Sequence, residues 1–309
     1  MKKISFFTLV FLSLFFQKCA PDSALHDNTA DSGYIVCTTN IVADLIDQIK
    51  PPSVAIMKPG TDPHLYKSKS GDHQLFNSAQ VIVYSGLHLE GKITDALEHL
   101  AHSKKVINLS DGIPIKKLIS NADFGGSFDP HFWFDIDLYQ LTVEHASTAL
   151  TEAFPDKKDS IRTRANAYLN AIKATEIELK DEINKLPVES RILVTAHDAF
   201  SYFGRKYNFI VKAVQGASTA SEAGLKDITL LVDYIIKNKV PAIFVESSVS
   251  ERNIKAIIEG CAGAGHPVKL GGTLYSDALG AKKGEAGTYL KMMKYNIRTI
   301  TNALQNSDL

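Results

Sequence analysis

Three histidines in this chain sit in contexts that suit a metal ion. His64 lies in Lys58-Pro59-Gly60-Thr61-Asp62-Pro63-His64-Leu65-Tyr66, a turn-rich loop just past an apolar run. His131 lies in Asp129-Pro130-His131-Phe132-Trp133, the same Asp-Pro-His in a second Pro-fixed turn, beside the chain's single Trp. His197 lies in Leu193-Val194-Thr195-Ala196-His197-Asp198-Ala199-Phe200, where a strand pattern gives way to a helix pattern. Asp277, in Leu274-Tyr275-Ser276-Asp277-Ala278-Leu279-Gly280, is a fourth candidate. Neutral imidazoles with one carboxylate suit zinc, manganese or ferrous iron, whereas calcium demands mostly oxygen ligands. Four protein ligands would fill a tetrahedral zinc shell, which suits carriage; a catalytic zinc usually keeps an open position. Each remaining imidazole nitrogen needs an acceptor to fix its tautomer. Asp62, Asp198, Glu222 and Glu246 are the candidates, and nothing in the sequence chooses among them.

Spacing carries little here, because the three His are dozens of residues apart and no helical period fixes their geometry. The competing reading of each is a capping or hydrogen-bonded structural His; the repeated Asp-Pro-His singles out His64 and His131. His26, His73, His88, His99, His102, His145 and His266 have no comparable context. His99 and His102 stand i, i+3 on a predicted helix and read as a solvated face.

The elements that would position these residues follow a βαβ rhythm. Tyr34-Ile35-Val36-Cys37-Thr38 reads as a strand. Asn40 is expected to cap a helix with Ile41, Val42, Leu45, Ile46 and Ile49 on one face. Further strands are expected at 54–57, 81–85 and 105–109, with a helix around 93–102. The second half repeats the pattern, with strands at 191–195, 209–213, 242–245 and 268–270 and helices at 225–239, 251–262 and 286–304. Such alternation implies parallel sheets covered by helices, and ligands then bind beyond the carboxyl ends of the strands. Between the halves, residues 159–186 lack Gly and Pro and place Ile161, Ala165, Tyr168, Leu169, Ile172, Leu179, Ile183 and Leu186 at helical spacing, with Pro155 before and Pro187 after. A helix of that length reaches roughly 40 Å, enough to cross from one lobe to another, and it would restrict domain movement more than a loop hinge.

Length and composition agree. At 309 residues two domains are expected, and 45% apolar with 22% charged residues is ordinary globular composition. Lys plus Arg equals Asp plus Glu at 34 each, which excludes the basic footprint nucleic acid requires. Lys2 and Lys3 followed by an apolar run to Phe16 form a signal peptide over 1–19, too short for a spanning anchor. It closes at Cys19, placed like the lipid-modified cysteine of a bacterial lipoprotein. Lys18 stands where a lipobox has a small residue, so cleavage nearby without lipid is the other reading. Residues 20–33 read as a flexible tether. Cys37 and Cys261 read as small buried apolar residues rather than a disulfide.

On the motifs above, the chain resembles the metal-binding lipoproteins, or periplasmic solute-binding proteins, of zinc/manganese ABC transporters, the TroA-like family. Gly60-Thr61-Asp62-Pro63-His64, Asp129-Pro130-His131-Phe132-Trp133 and Thr195-Ala196-His197-Asp198-Ala199-Phe200 match its first three ligand motifs. Ser221-Glu222-Ala223-Gly224-Leu225, Phe244-Val245-Glu246-Ser247-Ser248 and the segment around Asp277 also match, in the family's order. The resemblance implies two parallel-sheet α/β lobes (34–158 and 188–309) joined by one long backbone helix (159–187), with metal in the interlobe cleft. It implies a ligand set of His64, His131, His197 and Asp277 and a cargo of Zn2+ or Mn2+, with Fe2+ also open. It further implies no catalysis, a monomer, delivery to an ABC permease, and a periplasmic or cell-surface location with a lipid on Cys19. Manganese-binding members often have Glu where this chain has His197, and zinc members often carry a His-rich loop that residues 65–130 lack. Two other readings stand beside it: a secreted zinc hydrolase with Glu222 or Glu246 as general base, and a surface adhesin with a structural metal.

Overall fold

A computed structural model of the chain describes residues 34–121 and 127–305. The expected signal peptide, the tether and Cys19 lie outside the described residues. Strands β1 (Ile35–Cys37) and β3 (Val81–Tyr84) are buried at every residue, as strands covered on both faces must be. They form the middle of a parallel sheet of order β2-β1-β3-β4, with β2 (Ser53–Ala55) and β4 (Lys105–Asn108) at its edges. Val36 pairs with Val54 on one side and Ile82 on the other. The crossovers carry α1 (Asn40–Ile49), α2 (Ser70–Ser78) and α3 (Thr94–Leu100).

Helix α1 buries Ile41, Val42, Leu45, Ile46 and Ile49, the face expected from its period. Its cap is Thr39, not Asn40: Thr39 has extended backbone and its Oγ1 accepts from the Val42 N–H at 3.2 Å. The Asn40 side chain is engaged elsewhere, in a reciprocal pair with the backbone of Leu279, at 3.0 and 2.9 Å. Helix α2 has no counterpart in the sequence expectations, because its polar residues bury only Asp72 and Phe76.

The second lobe pairs β5 (Ile192–His197) with β6 (Ile210–Gln215) and β7 (Ala242–Glu246) with β8 (Lys269–Leu274), both parallel; β5 runs beside β7. Helices α6 (Ser201–Tyr207), α7 (Leu225–Lys237) and α8 (Arg252–Gly263) cover these strands. Strand β8 runs four residues beyond the apolar stretch that announced it, through Gly271 and Gly272. A side chain at Gly271 would put its Cβ 2.5 Å from Cε1 of Phe244, and the ladder shifts register at Ile243/Phe244. The glycines hide the strand from a pattern reading, yet they allow it to lie against β7.

Three helices join the lobes. Helix α4 (Ile136–Ala153), also unannounced by the sequence, packs on α5 (Lys158–Ile183), which packs in turn on α9 (Tyr289–Gln305). The 26 residues of α5 span ~39 Å. Its buried seam is Ile161, Ala165, Tyr168, Ile172, Thr175, Leu179 and Ile183, steps of three and four that keep one face inward. Near its start Arg164 donates to the carbonyl of Asp47 in the first lobe at 3.0 Å. Near its end Thr301 donates to Glu182 at 3.1 Å and Lys294 pairs with Glu178 at 2.7 Å. One apolar cluster runs from Ile35 and Leu45 through Ile172 to Tyr289 and Ile300, so both lobes share a core. Cys37 and Cys261 are buried and unbridged. No helix among the described residues is long and apolar enough to cross a membrane.

Candidate metal centre

Three of the four candidates come from loops and one from the carboxyl end of a strand. His64 follows β2, His197 is the last residue of β5, and Asp277 lies three residues past β8. His131 opens the short 3-10 turn Phe132–Phe134 ahead of α4. The structure brings all four together: one donor atom from each lies within 4.8 Å of the others, and all four residues are buried. His64 Nε2 is 3.3 Å from His131 Nε2. Asp277 Oδ1 is 3.3 Å from His131 Nε2, and Oδ2 is 3.3 Å from His197 Nε2. Metal–donor bonds near 2.05 Å at tetrahedral angles separate donors by about 3.3 Å. Those three contacts, two of them made by different oxygens of Asp277, are of the size a zinc-like ion requires. Both oxygens of Asp277 face the imidazoles, so it can hold an ion through one oxygen or two.

The surroundings fix each ring. Asp129 Oδ1 accepts from the His131 backbone N–H at 2.9 Å and lies 2.7 Å from its Nδ1. Glu246 does the same for His197, taking its backbone N–H on Oε1 at 2.9 Å and placing Oε2 2.7 Å from Nδ1. That second contact has ion-pair distance but lies off the ring's N–H axis, and His197 Nε2 and Asp277 Oδ1 have no aligned hydrogen-bond partner among the described residues. Buried polar atoms left this way are costly, and a cation at their centre would satisfy them together.

The repeated Asp-Pro-His therefore diverges in three dimensions. Asp129 reaches the ring of its histidine. Asp62 takes the backbone N–H of His64 on one oxygen, at 2.9 Å, and gives its other oxygen to Thr219. Of the four acceptors proposed from sequence, Glu246 reaches the His197 imidazole. Asp198 accepts from Ser201 at 2.8 Å, and Glu222 is exposed. Asp129 was quoted in its motif but not named as an acceptor; its position two residues before His131 was the available signal. Glu90 was also missed. Buried, it accepts from Thr38 Oγ1 and Ser85 N at 2.7 Å and Gly86 N at 3.3 Å. It thereby sets a loop whose Gly91, at φ +48°, passes so close to His64 that a Cβ would fall 2.5 Å from the His64 carbonyl oxygen.

Charge is unevenly shared in this cluster. Burial pushes His64 down to about 3, only partly offset by Asp277, so its imidazole is neutral. Burial also works against charge on His131, but Asp129 and Asp277 outweigh it and hold the ring at about 9. His197 is likewise raised well above its ordinary value, burial being overcome by Glu246 and Asp277. For Asp277, burial is outweighed by His197 and His131, which keep the carboxyl far below the usual range. Metal-free, the centre is two imidazoliums, one neutral imidazole and a carboxylate between them. A divalent cation can replace two of those protons without changing the total charge.

Residues 35–303 match the family described as zinc-uptake complex component A, periplasmic. The chain belongs to this family. It is 42% identical over 301 residues to the manganese-binding lipoprotein MntA of Bacillus subtilis (strain 168), covering 96% of this chain and 97% of that protein. It is 39% identical over 282 residues to the zinc-binding protein TroA of Treponema pallidum (strain Nichols), covering 90% and 91%. The solved structure of periplasmic zinc-binding TroA superposes with a TM-score of 0.85 at 38% identity over 88% of this chain and 99% of that one. Fe(III)-bound YtgA of Chlamydia trachomatis superposes at 0.79 with 25% identity over 90% and 100%. The family is one of substrate-binding components of metal transporters, not of enzymes. The geometry gives the hydrolase reading no general base: Glu222 is exposed and Glu246 has both oxygens on His197.

Proposed function

We propose that the chain captures a divalent transition metal between its two lobes with His64, His131, His197 and Asp277, and delivers it to an ABC uptake permease. The observation that carries this reading is the convergence of one donor atom from each of four distant chain segments to within 4.8 Å of one another. Relatives named for manganese and for zinc bracket the cargo. A donor set of three nitrogens and one carboxylate binds zinc more tightly than manganese by the Irving–Williams order, while supply governs which ion is loaded. The lobes are assigned to 34–158 and 188–309, with 159–187 as the strut, and the protein acts as a monomer held to the membrane through Cys19.

Calorimetric titration with Zn2+ and with Mn2+ tests the site. His64→Ala and Asp277→Ala should each weaken binding sharply; unchanged affinity in both overturns the ligand assignment. Elemental analysis of protein purified from its native host, followed by zinc/manganese competition, reads the cargo.

A further inference from the structure

His64 is the most exposed of the four, at 5% against 1% or less for the other three, so the least-covered doorway of the site is the one beside His64. One short segment of the second lobe lies at that doorway. It begins at Gln215, which pairs with His197 across β5 and β6. Gly216 then accepts from the Asp198 N–H at 3.4 Å. The segment ends at Thr219, 7% exposed, whose hydroxyl donates to Asp62 Oδ2 at 2.6 Å. The other oxygen of Asp62 holds the backbone of His64. Residues 215–219 thus form a strap from the immediate neighbours of one ligand, in the second lobe, to the immediate neighbours of another, in the first. Behind Thr219 the strap is braced by Gln215, which donates to the Ser221 carbonyl at 3.1 Å.

We infer that Thr219 is a positioning residue for metal retention: its bond to Asp62 latches the strap across the doorway and keeps His64 in place while the ion is held. The inference rests on the ligand assignment above. The shared carboxylate makes the two functions inseparable. If the Thr219 hydroxyl is lost, one oxygen of Asp62 is released to water and the His64 loop loses this tie to the strap. Val has nearly the shape of Thr but no hydroxyl, so Thr219→Val removes the latch with little change in packing. Thr219→Ser keeps it.

The test uses the full chain loaded with Zn2+ and mixed with excess chromogenic chelator, the release rate being followed by the chelator's colour. Thr219→Val should release zinc about tenfold faster, the size expected for losing a hydrogen bond to a charged acceptor. Thr219→Ser should release it at the unaltered rate. The absorption spectrum of the Co2+ form should be the same in both variants, since all four ligands remain. Release from Thr219→Val at the unaltered rate overturns the latch, and so does equally fast release from both variants. A changed Co2+ spectrum in Thr219→Val also overturns it, by showing that the ligand shell itself was disturbed. Failure of the ligand assignment reads differently: His64→Ala would then bind Zn2+ as tightly as the unaltered protein, whatever Thr219 does.

Discussion

Titrating Zn2+ into the metal-free protein at pH 7 should release about two protons per ion bound. His131 donates from Nδ1 to Asp129 at 2.7 Å, its Nε2 lies 3.3 Å from the Asp277 carboxylate, and the ring is held at about 9. Removing its Nε2 proton at pH 7, two units below that value, costs ~2.7 kcal/mol, or ~100-fold in affinity. The Nδ1 proton stays on His131, bonded to Asp129, in both states. His197 adds a second proton in the same sense, while His64, held at about 3, adds none. Affinity should therefore rise roughly a hundredfold per pH unit between pH 6 and 8, because metal and protons compete for the same nitrogens. Three ordinary imidazoles with pKa near 6.5 would release only ~0.7 proton at pH 7. Calorimetry in two buffers of different ionisation enthalpy gives the number directly. A value below one, or a flat affinity profile, would refute the charge distribution argued here. Stability follows the opposite course. The two raised histidines stabilise the metal-free fold fully below pH ~6.5, and that contribution fades as pH rises, for His131 through about 9. The melting-temperature gain on adding Zn2+ should accordingly widen across that window.

Two further outcomes test the supports of the site. Asp129→Asn keeps the side chain's shape but loses the charge that orients His131, and should weaken Zn2+ binding 10- to 100-fold by calorimetry and lower the melting temperature of the metal-free protein at pH 7, because that charge helps raise His131. Ile172→Ala empties a fully buried position in the middle of α5, where the common core crosses between lobes; denaturant unfolding should show a loss of about 2–5 kcal/mol, in one transition rather than two.

The long helix α5 was legible because a helix seam is a local property: Ile161, Ala165, Tyr168, Ile172, Leu179 and Ile183 recur at a period that any packing partner must respect. Helix α4 escaped because it also buries Thr142 and Thr151, which blur the apolar stripe. The Asn40 cap failed for a related reason. Adjacent Thr39 and Asn40 are both good caps, and the choice between them depends on Leu279, 239 residues away.

The site divides along the same line. Residue type and motif point to His64, His131, His197 and Asp277 as candidates and to the ions they would suit, because ligand chemistry belongs to the side chain itself. Whether those donors meet at 3.3 Å depends on segments separated by 67 to 146 residues, and that is a matter of how the two lobes are set by α4, α5 and α9. Identical Asp-Pro-His tripeptides show the difference most plainly. In one the carboxylate orients an imidazole; in the other it reaches Thr219. Local sequence placed both carboxylates two residues before a histidine, and only the packing around each decided which partner its second contact would find.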